Sequence, residues 1–262
     1  MYKSRYSTFY LILIFLGGLL LLFLVAPLLG MFFKTSGTDL WATANEKEVT
    51  DSFLLTIFTA LGATVTGAIL AIPLSYILAR KDFPLKGLVS GIIDLPVVIP
   101  HSAAGIAILG FISRDTTLGK AAEFAGITLV GSPIAISMAM AFVSLPFLVN
   151  AARDGFAAVP ERLEKAAMNL GASPTKVFLT ISLPLAWRSI LSGLIMMFAR
   201  GMSEFGAVII VAYHPMVAPV MIFERFSSFG LKYATPVSVL FILVALFLFI
   251  AFRLLLKKKK NA

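Results

Sequence analysis

The sequence predicts an all-α integral membrane protein with six transmembrane helices and with both termini in the cytoplasm. Hydrophobic residues make up 59% of the 262 residues and charged residues only 13%, whereas a soluble domain carries about 25% charged residues. Six segments stay apolar over about 20 residues, the length that crosses a bilayer. Basic residues concentrate in every second connection between these segments, and this asymmetry orients the chain.

The six predicted spans leave little chain for a soluble domain, so residues 1–262 are predicted to form a single transmembrane domain. The spans cover residues 6–33, 52–79, 88–112, 124–152, 189–213 and 233–252. External loops are predicted at 34–51, at 113–131 and around His214 and Pro215. The longest internal connection, residues 153–188, lies between the fourth and fifth spans.

The first apolar run, residues 6–33, resembles a signal peptide in its position but not in its length. The apolar core of a signal peptide has about 7–15 residues, and a cleavage site with small residues follows it. The run here is longer, and no clear site of that kind comes after it. We interpret it as a retained transmembrane helix.

The basic residues predict the orientation of the chain in the membrane. With the N-terminus inside, most lysines and arginines between the spans lie on the inner side, as the positive-inside rule requires. These residues are Lys3, Arg5, Arg80, Lys81, Lys86, Arg153, Arg162, Lys165, Lys176, Arg188, Arg253 and Lys257–Lys260. Contact with anionic lipid head groups accounts for the C-terminal lysine run, so the net charge of +9 predicts a lipid bilayer and no nucleic acid as partner.

Pro96 and Pro100 interrupt the third predicted span. A proline inside a helix removes a backbone donor and clashes with the preceding turn. Membrane helices tolerate such breaks where neighbouring protein satisfies the freed backbone groups. We therefore expect a kink or a break in this span.

The internal connection 153–188 is predicted to contain two short helices. Pro160 suits the first position of a helix, because its missing N–H is not needed there. Gly171 fits the left-handed stop after that helix, and Ser173 can cap a second one that begins at Pro174. The apolar residues of the first helix recur with a helical period and form one face. They are Leu163, Ala166, Ala167 and Leu170.

Two functions fit this first helix. Its small, alanine-rich face suits docking into a groove on another protein. An amphipathic helix that lies on the membrane surface is the alternative, and basic residues would favour it. The charges beside the apolar face are of mixed sign, which favours docking. They are Glu161, Arg162, Glu164 and Lys165.

The segment resembles the cytoplasmic coupling loop of ABC import permeases, the "EAA" loop. The pattern of that loop is Glu-Ala-Ala, three residues, Gly, nine residues and Ile-x-Leu-Pro. The positions in register are Ala166, Ala167, Gly171, Ile181, Leu183 and Pro184. Lys165 stands where the pattern has its Glu, and Glu164 comes one residue earlier. The resemblance implies that residues 159–173 bind two cytoplasmic ATPase subunits, but a salt bridge from Glu164 to the ATPase does not simply carry over.

Two further stretches, 94–105 and 199–208, resemble the permeases of sulfate and molybdate ABC importers. Within that group the chain is most similar to molybdate/tungstate permeases of the archaeal kind. The resemblance implies the type I ABC importer fold and a homodimer that imports molybdate or tungstate by alternating access; a sulfate/thiosulfate permease is the alternative. It also implies an extracytoplasmic oxyanion-binding protein, and ATP and Mg²⁺ in the partner ATPase.

Charged residues within the predicted spans have two alternative roles: they line the transport pathway, or they pair with one another and fix the positions of neighbouring helices. Such residues usually face the protein interior or water. Arg200 and Glu204 are four residues apart and can pair on one helix face, which Ser203 shares. Arg200 could attract an anion, or the pair could neutralise itself, alone or with Asp94, to fix helix register. His101 is interpreted as a packing or helix-end group, because it lacks companion ligands for a metal.

The sequence predicts no catalytic activity. It has no cysteine and no Gly-x4-Gly-Lys-Ser/Thr motif, so ATP hydrolysis is expected in a separate subunit. A secondary transporter driven by an ion gradient is the competing hypothesis, with Asp94, Arg200 and Glu204 as coupling sites. That hypothesis, like that of a membrane scaffold without a transport role, does not explain the spacing from Gly171 to Pro184.

Overall fold

The computed structural model describes residues 8–256, and within them the chain is helical and contains no strand. The helices are α1 (Thr8–Lys34), α2 (Gly37–Ala44), α3 (Lys47–Arg80), α4 (Lys86–Val98), α5 (His101–Ile112), α6 (Thr117–Phe124), α7 (Pro133–Ala157), α8 (Glu161–Asn169), α9 (Pro174–Val177), a π-helical turn (Phe178–Ser182), α10 (Leu183–Met202), α11 (Val208–Val211), α12 (Ala218–Phe229) and α13 (Leu231–Leu256). Lys3, Arg5 and Lys257–Lys260, which contribute to the predicted orientation, lie outside the described residues.

Five helical segments between residues 8 and 256 are long and apolar enough to cross a membrane on their own. They are Thr8–Lys34, Lys47–Arg80, Pro133–Ala157, Pro174–Met202 and Leu231–Phe252. Helices α4 and α5 meet the same criterion only together, and they are bent by 112° at the break between them. The all-helical membrane architecture is confirmed, and the predicted third span is a broken one. The break comes at Ile99 and Pro100, whereas α4 continues through Pro96.

The predicted external loops are wrong in detail, because two of them contain a helix and a third helix follows the loop around His214 and Pro215. Helix α2 lies within 34–51, α6 within 113–131, and α12 follows Pro215. Local caps explain two of these helices. The Ser36 hydroxyl accepts the N–H of Asp39 at the start of α2, and the Thr116 hydroxyl accepts the N–H of Gly119 at the start of α6. Polarity and glycine content suggested loops, but side-chain caps start helices in polar sequence too.

The boundaries of the fourth and fifth predicted spans are also corrected. Phe124 ends α6 rather than starting a span, and α7 begins only at Pro133 after the cap residue Ser132. Helix α10 begins at Leu183, before the predicted start at residue 189, and ends at Met202. The chain is not helical from 203 to 207. Hydropathy averages over a window and does not detect such interruptions.

Small residues build the core where α3, α7 and α10 pack against one another. Ala60 and Ala63 of α3 and Ala139 of α7 are almost fully buried. On α10, a Cβ added at Gly201 would lie 3.5 Å from Met140 and 3.8 Å from Ala60. Small side chains allow membrane helices to approach closely and gain dispersion contacts. Helix α1, by contrast, contains no buried residue.

Two helix breaks lie against each other in this core. One separates α4 from α5, and the other separates α10 from α11. A Cβ at Gly105 would lie 2.8 Å from the Ala207 carbonyl oxygen, and a Cβ at Gly206 would lie 2.7 Å from the His101 Cβ. Both glycines therefore allow a backbone approach that a side chain would prevent.

Gly105→Ala should destabilise the protein, because its new methyl group would press on the backbone of Ala207. Overpacking of this kind costs about 1–3 kcal/mol. Gly110→Ala is the matched control on the same helix, because its methyl group would meet no atom within 4 Å. Thermal unfolding in detergent measures both variants. Equal melting temperatures would contradict the close packing of the two breaks.

Candidate functional site

Local interactions define helix α8 in the connection between the apolar helices α7 and α10. Pro160 is its N-cap rather than its first residue, with ψ at 120°, and the helix begins at Glu161. At the other end Gly171 is left-handed with φ at 86°, and the Ala172 N–H donates to the Ala167 carbonyl over 3.0 Å. This is the Schellman stop expected for glycine. Ser173 accepts the N–H of Lys176 over 3.3 Å and caps α9, as predicted.

The apolar face of α8 is largely exposed in the described chain. Leu170 is 89% exposed, Leu163 is 41% exposed, Ala166 is exposed and Ala167 is half-buried. Glu161 and Lys165 pair on the surface beside it over 2.9 Å. The helix therefore presents apolar side chains and mixed charges outward.

Glu164 points into the protein, unlike its charged neighbours on α8. The Glu164 and Arg80 side chains are each only 7% exposed, and Arg80 Nη2 lies 2.8 Å from Glu164 Oε1. Arg80 Nε donates to both carboxylate oxygens, over 3.0 and 3.1 Å. The Ser182 hydroxyl donates to Oε1 over 2.7 Å and the Tyr76 hydroxyl to Oε2 over 3.4 Å. Within the chain, this carboxylate is held by α3 and by the π-helical turn.

An aromatic cluster packs around Tyr76, one of the partners of this carboxylate. The Tyr76 ring packs edge-on against Phe156 and Phe178, with centroids 5.3 and 4.9 Å apart. Arg80 Nη2 also donates to the Val159 carbonyl over 2.8 Å. Sequence reasoning missed Arg80, Tyr76 and Ser182 as partners of Glu164. Ser182 lies within the Ile-x-Leu-Pro motif, but no sequence signal links the two α3 residues to α8.

The pKa of Glu164 lies below its ordinary value of 4.5. Burial by itself would raise this pKa, because it disfavours the charged form. The hydrogen bonds from Arg80 and Ser182, the positive charge of Arg80 and the hydrogen bond from Tyr76 outweigh burial. At neutral pH Glu164 is therefore ionised, and both of its carboxylate oxygens accept hydrogen bonds.

A second charged cluster joins the two helix breaks. Glu204 is fully buried, and its Oε2 lies 2.9 Å from both Arg200 Nη2 and His101 Nδ1. Neither contact at Oε2 has hydrogen-bond geometry, whereas Oε1 accepts the N–H of Ala207 over 2.9 Å. Glu204 lies beyond the end of α10 and not on a helix face with Arg200, so the predicted pair forms between the last turn of α10 and the break that follows it.

Asp94 does not belong to this cluster, and the predicted alternative in which it joins the pair of Arg200 and Glu204 is wrong. Its Oδ1 accepts a hydrogen bond from Asn150 Nδ2 of α7 over 2.6 Å. Sequence reasoning missed Asn150, which carries no charge to mark it. Ser203 is exposed and donates to the Arg200 carbonyl over 3.0 Å.

The remaining predicted pathway residues, Pro96 and Pro100, shape the broken span. Pro96 is buried inside α4, and Pro100 precedes the first residue of α5, His101. Pro100 has no N–H that the break could leave unpaired. The structure thus brings His101, Arg200 and Glu204 together, with Pro100 directly before His101.

The fold and these sites define a class: a multi-pass helical membrane protein whose helix breaks meet at a buried glutamate and which exposes a short helix between two spans. Residues 71–260 match the model of a known family, described as binding-protein-dependent transport system inner membrane component. The match covers more than half of the chain, which therefore belongs to this family of transport permeases.

Individual relatives agree with this membership. The chain is 40% identical over 248 residues to the molybdate/tungstate transport system permease protein WtpB of Pyrococcus abyssi, covering 94% of this chain and 95% of the relative. It is 30% identical to a probable sulfate transport system permease protein, cysT, of Chlorokybus atmophyticus, covering 86% and 81%. The fold is similar to that of a bacterial ABC transporter that imports alginate, with a TM-score of 0.74, 15% identity and coverage of 97% and 96%.

Arg200→Met should destabilise the protein strongly, because it leaves Glu204 buried without its guanidinium partner. Removing one partner of a buried ion pair costs about 3–5 kcal/mol. The double variant Arg200→Met with Glu204→Met should recover most of this loss, because no buried charge remains. Chemical unfolding in detergent measures both. A double variant that is less stable than Arg200→Met would contradict the assignment.

The Glu164 carboxylate should contribute stability that depends on pH. Because its folded pKa lies below 4.5, this contribution is present above pH 4.5 and is lost as the pH falls through the folded pKa. The difference in unfolding free energy between wild type and Glu164→Gln, measured from pH 7 down to pH 3, should therefore shrink. Glu161→Gln is the control: it breaks an exposed pair, which stabilises little, so its curve should follow that of wild type more closely.

Proposed function

We propose that this chain is the permease subunit of an ATP-driven ABC importer for a tetrahedral oxyanion, with molybdate and tungstate as its substrates. One observation carries the coupling part of this proposal. Helix α8 lies between two apolar helices, exposes an apolar face, and is anchored from behind by Glu164. Because Glu164 anchors α8 to the rest of the chain and the apolar face is exposed, a partner that binds this face can transmit its movement to the chain.

In this proposal α8 lies in the cytoplasm and binds the ATPase through Leu163, Ala166, Ala167 and Leu170. Both chain termini are then cytoplasmic as well, since the predicted topology has an even number of spans. ATP and Mg²⁺ bind to the ATPase, and this chain carries out no catalysis. The alternative of a membrane-surface helix is less favoured, because basic residues would favour it, whereas the charges of α8 are of mixed sign, as in the pair of Glu161 and Lys165.

Two copies of the chain, two ATPase subunits and one extracytoplasmic binding protein complete the proposed transporter. A two-fold dimer is the commonest symmetric assembly. Helix α1 leaves every described side chain outside the core of its own chain, so its apolar surface is free for lipid or a second copy. The family description, a binding-protein-dependent system, supports the external partner.

Arg200 serves helix register rather than anion capture in this proposal. The Glu204 carboxylate neutralises it at 2.9 Å, and a strong cationic site would hold the oxyanion instead of releasing it. Selection of the substrate then falls mainly to the binding protein. Sulfate is the second candidate, because a sulfate permease is among the relatives.

An importer driven by an ion gradient is less favoured. Its three candidate coupling residues would need to converge on one site. Asp94 instead accepts a hydrogen bond from Asn150, while Arg200 and Glu204 both contact His101. The exposed face of α8 would also remain without a role.

Uptake into proteoliposomes tests the proposal. The chain, reconstituted with its ATPase and binding protein, should accumulate molybdate or tungstate only when ATP is present. Excess sulfate should compete weakly with these substrates, whereas strong competition would assign sulfate as the substrate. Uptake that requires an ion gradient and no ATP would overturn the ABC importer assignment.

Leu163→Asp should abolish binding of the ATPase and ATP-driven uptake, because it places a charge in the apolar docking face. Met168→Asp is the matched control: Met168 is 44% exposed against 41% for Leu163, but it lies off that face. Neither residue is buried, so both variants should unfold near the wild-type temperature. Pull-down of the ATPase measures docking, and equal losses in the two variants would argue against this face.

A further inference from the structure

Glu164 is the point where four parts of the chain meet. Arg80 and Tyr76 reach it from the end of α3, Ser182 reaches it from the π-helical turn, and Phe156 of α7 covers Tyr76. Arg80 additionally holds the Val159 carbonyl just before α8. Helix α8 is therefore fixed at its first turn to the end of α3, which is far removed from it in sequence.

The chemistry of this contact makes it stiff. The planar guanidinium of Arg80 donates to both oxygens of one carboxylate, a geometry that restrains orientation as well as distance. The two side chains are each 7% exposed, so water does not compete for them. The exposed pair between Glu161 and Lys165 on the same helix, with 55% and 69% exposure, lacks these restraints.

The covalent route from α8 to α10 is less stiff. It passes the left-handed Gly171, the four-residue α9 and the π-helical turn 178–182. Such π-helical turns are rare and are frequently found at functional sites. Helix α9, this turn and α10 form one continuous helical segment, Pro174–Met202, so the helical path from α8 is interrupted at the turn around Gly171. The chain connection alone would absorb part of a displacement of α8.

Resting on the function proposed above, we propose that Arg80 and Glu164 form a positioning joint through which α8 moves the inner end of α3. A push from the ATPase on α8 then reaches α3 directly, and not only α10 through the chain. Helix α3 packs along both α7 and α10 through its alanines. A displacement of the inner end of α3 would therefore tilt these three helices. Arg80 and Glu164 are positioning residues, because neither touches substrate or ATP.

Breaking the joint should uncouple ATP hydrolysis from import. The variants Arg80→Gln and Glu164→Gln should still bind the ATPase, because the docking face lies on another side of α8. The number of oxyanions imported per ATP hydrolysed should fall about tenfold, within the range typical for coupling between sites. Glu161→Gln is the matched control, with the same substitution on the same helix in an exposed pair, and it should keep the wild-type ratio.

Distance measurements test the joint in the intact protein, whatever the stability of those variants. The chain has no cysteine, so spin labels can be placed on Lys81→Cys and Lys165→Cys, two exposed positions on either side of the joint. In transporters with one labelled copy, the distance between these labels should stay constant when ATP binds. The distance between Lys165→Cys labels on the two copies should change.

The outcomes separate the joint from the function on which it rests. If the labels on the two copies do not move with ATP, or if Leu163→Asp still binds the ATPase, the coupling role of α8 is wrong. If α8 moves and docks but the distance from Lys81 to Lys165 changes as well, the joint is wrong. An unchanged import ratio in a folded, ATPase-bound Arg80→Gln would overturn it too.

Discussion

The hydrocarbon interior of a membrane offers no hydrogen bonds, and this constraint governs the rest of the structure. Each unsatisfied backbone group there is costly, so the spanning segments are helices and any break must be covered by protein. The two breaks of this chain lie against each other, with Gly105 and Gly206 at their contact. Proline removes one donor at the first break, and the Glu204 carboxylate accepts a freed N–H at the second.

Buried glutamates appear in this protein at places where the helical pattern is interrupted. Glu204 joins the end of α10 to the start of α5, and Glu164 joins the surface helix α8 to α3. Both use an arginine partner, which keeps its charge under all physiological conditions. A buried ion pair gives little net stability but fixes the geometry of its partners when further hydrogen bonds satisfy it. The two pairs hold the irregular parts of a bundle whose regular parts pack through small residues.

Local sequence signals predicted local features well. Gly171 and Ser173 indicated the end of α8 and the start of α9, because left-handed stops and hydroxyl caps depend on a few adjacent residues. Hydropathy indicated the spans but misplaced their ends at Phe124 and Met202. The polar connections proved helical because Ser36 and Thr116 cap them, which averaged hydropathy does not register.

The sequence by itself determined that this protein is a helical membrane permease, because the length and hydropathy of segments and the spacing of motifs depend only on the order of residues along the chain. It also indicated that Arg200 and Glu204 pair, since they are close in sequence. Only the tertiary structure decided that Glu164 faces inward to Arg80, that His101 joins Glu204, and that Asp94 bonds to Asn150. These partners are distant along the chain, and the packing of whole helices brings them together.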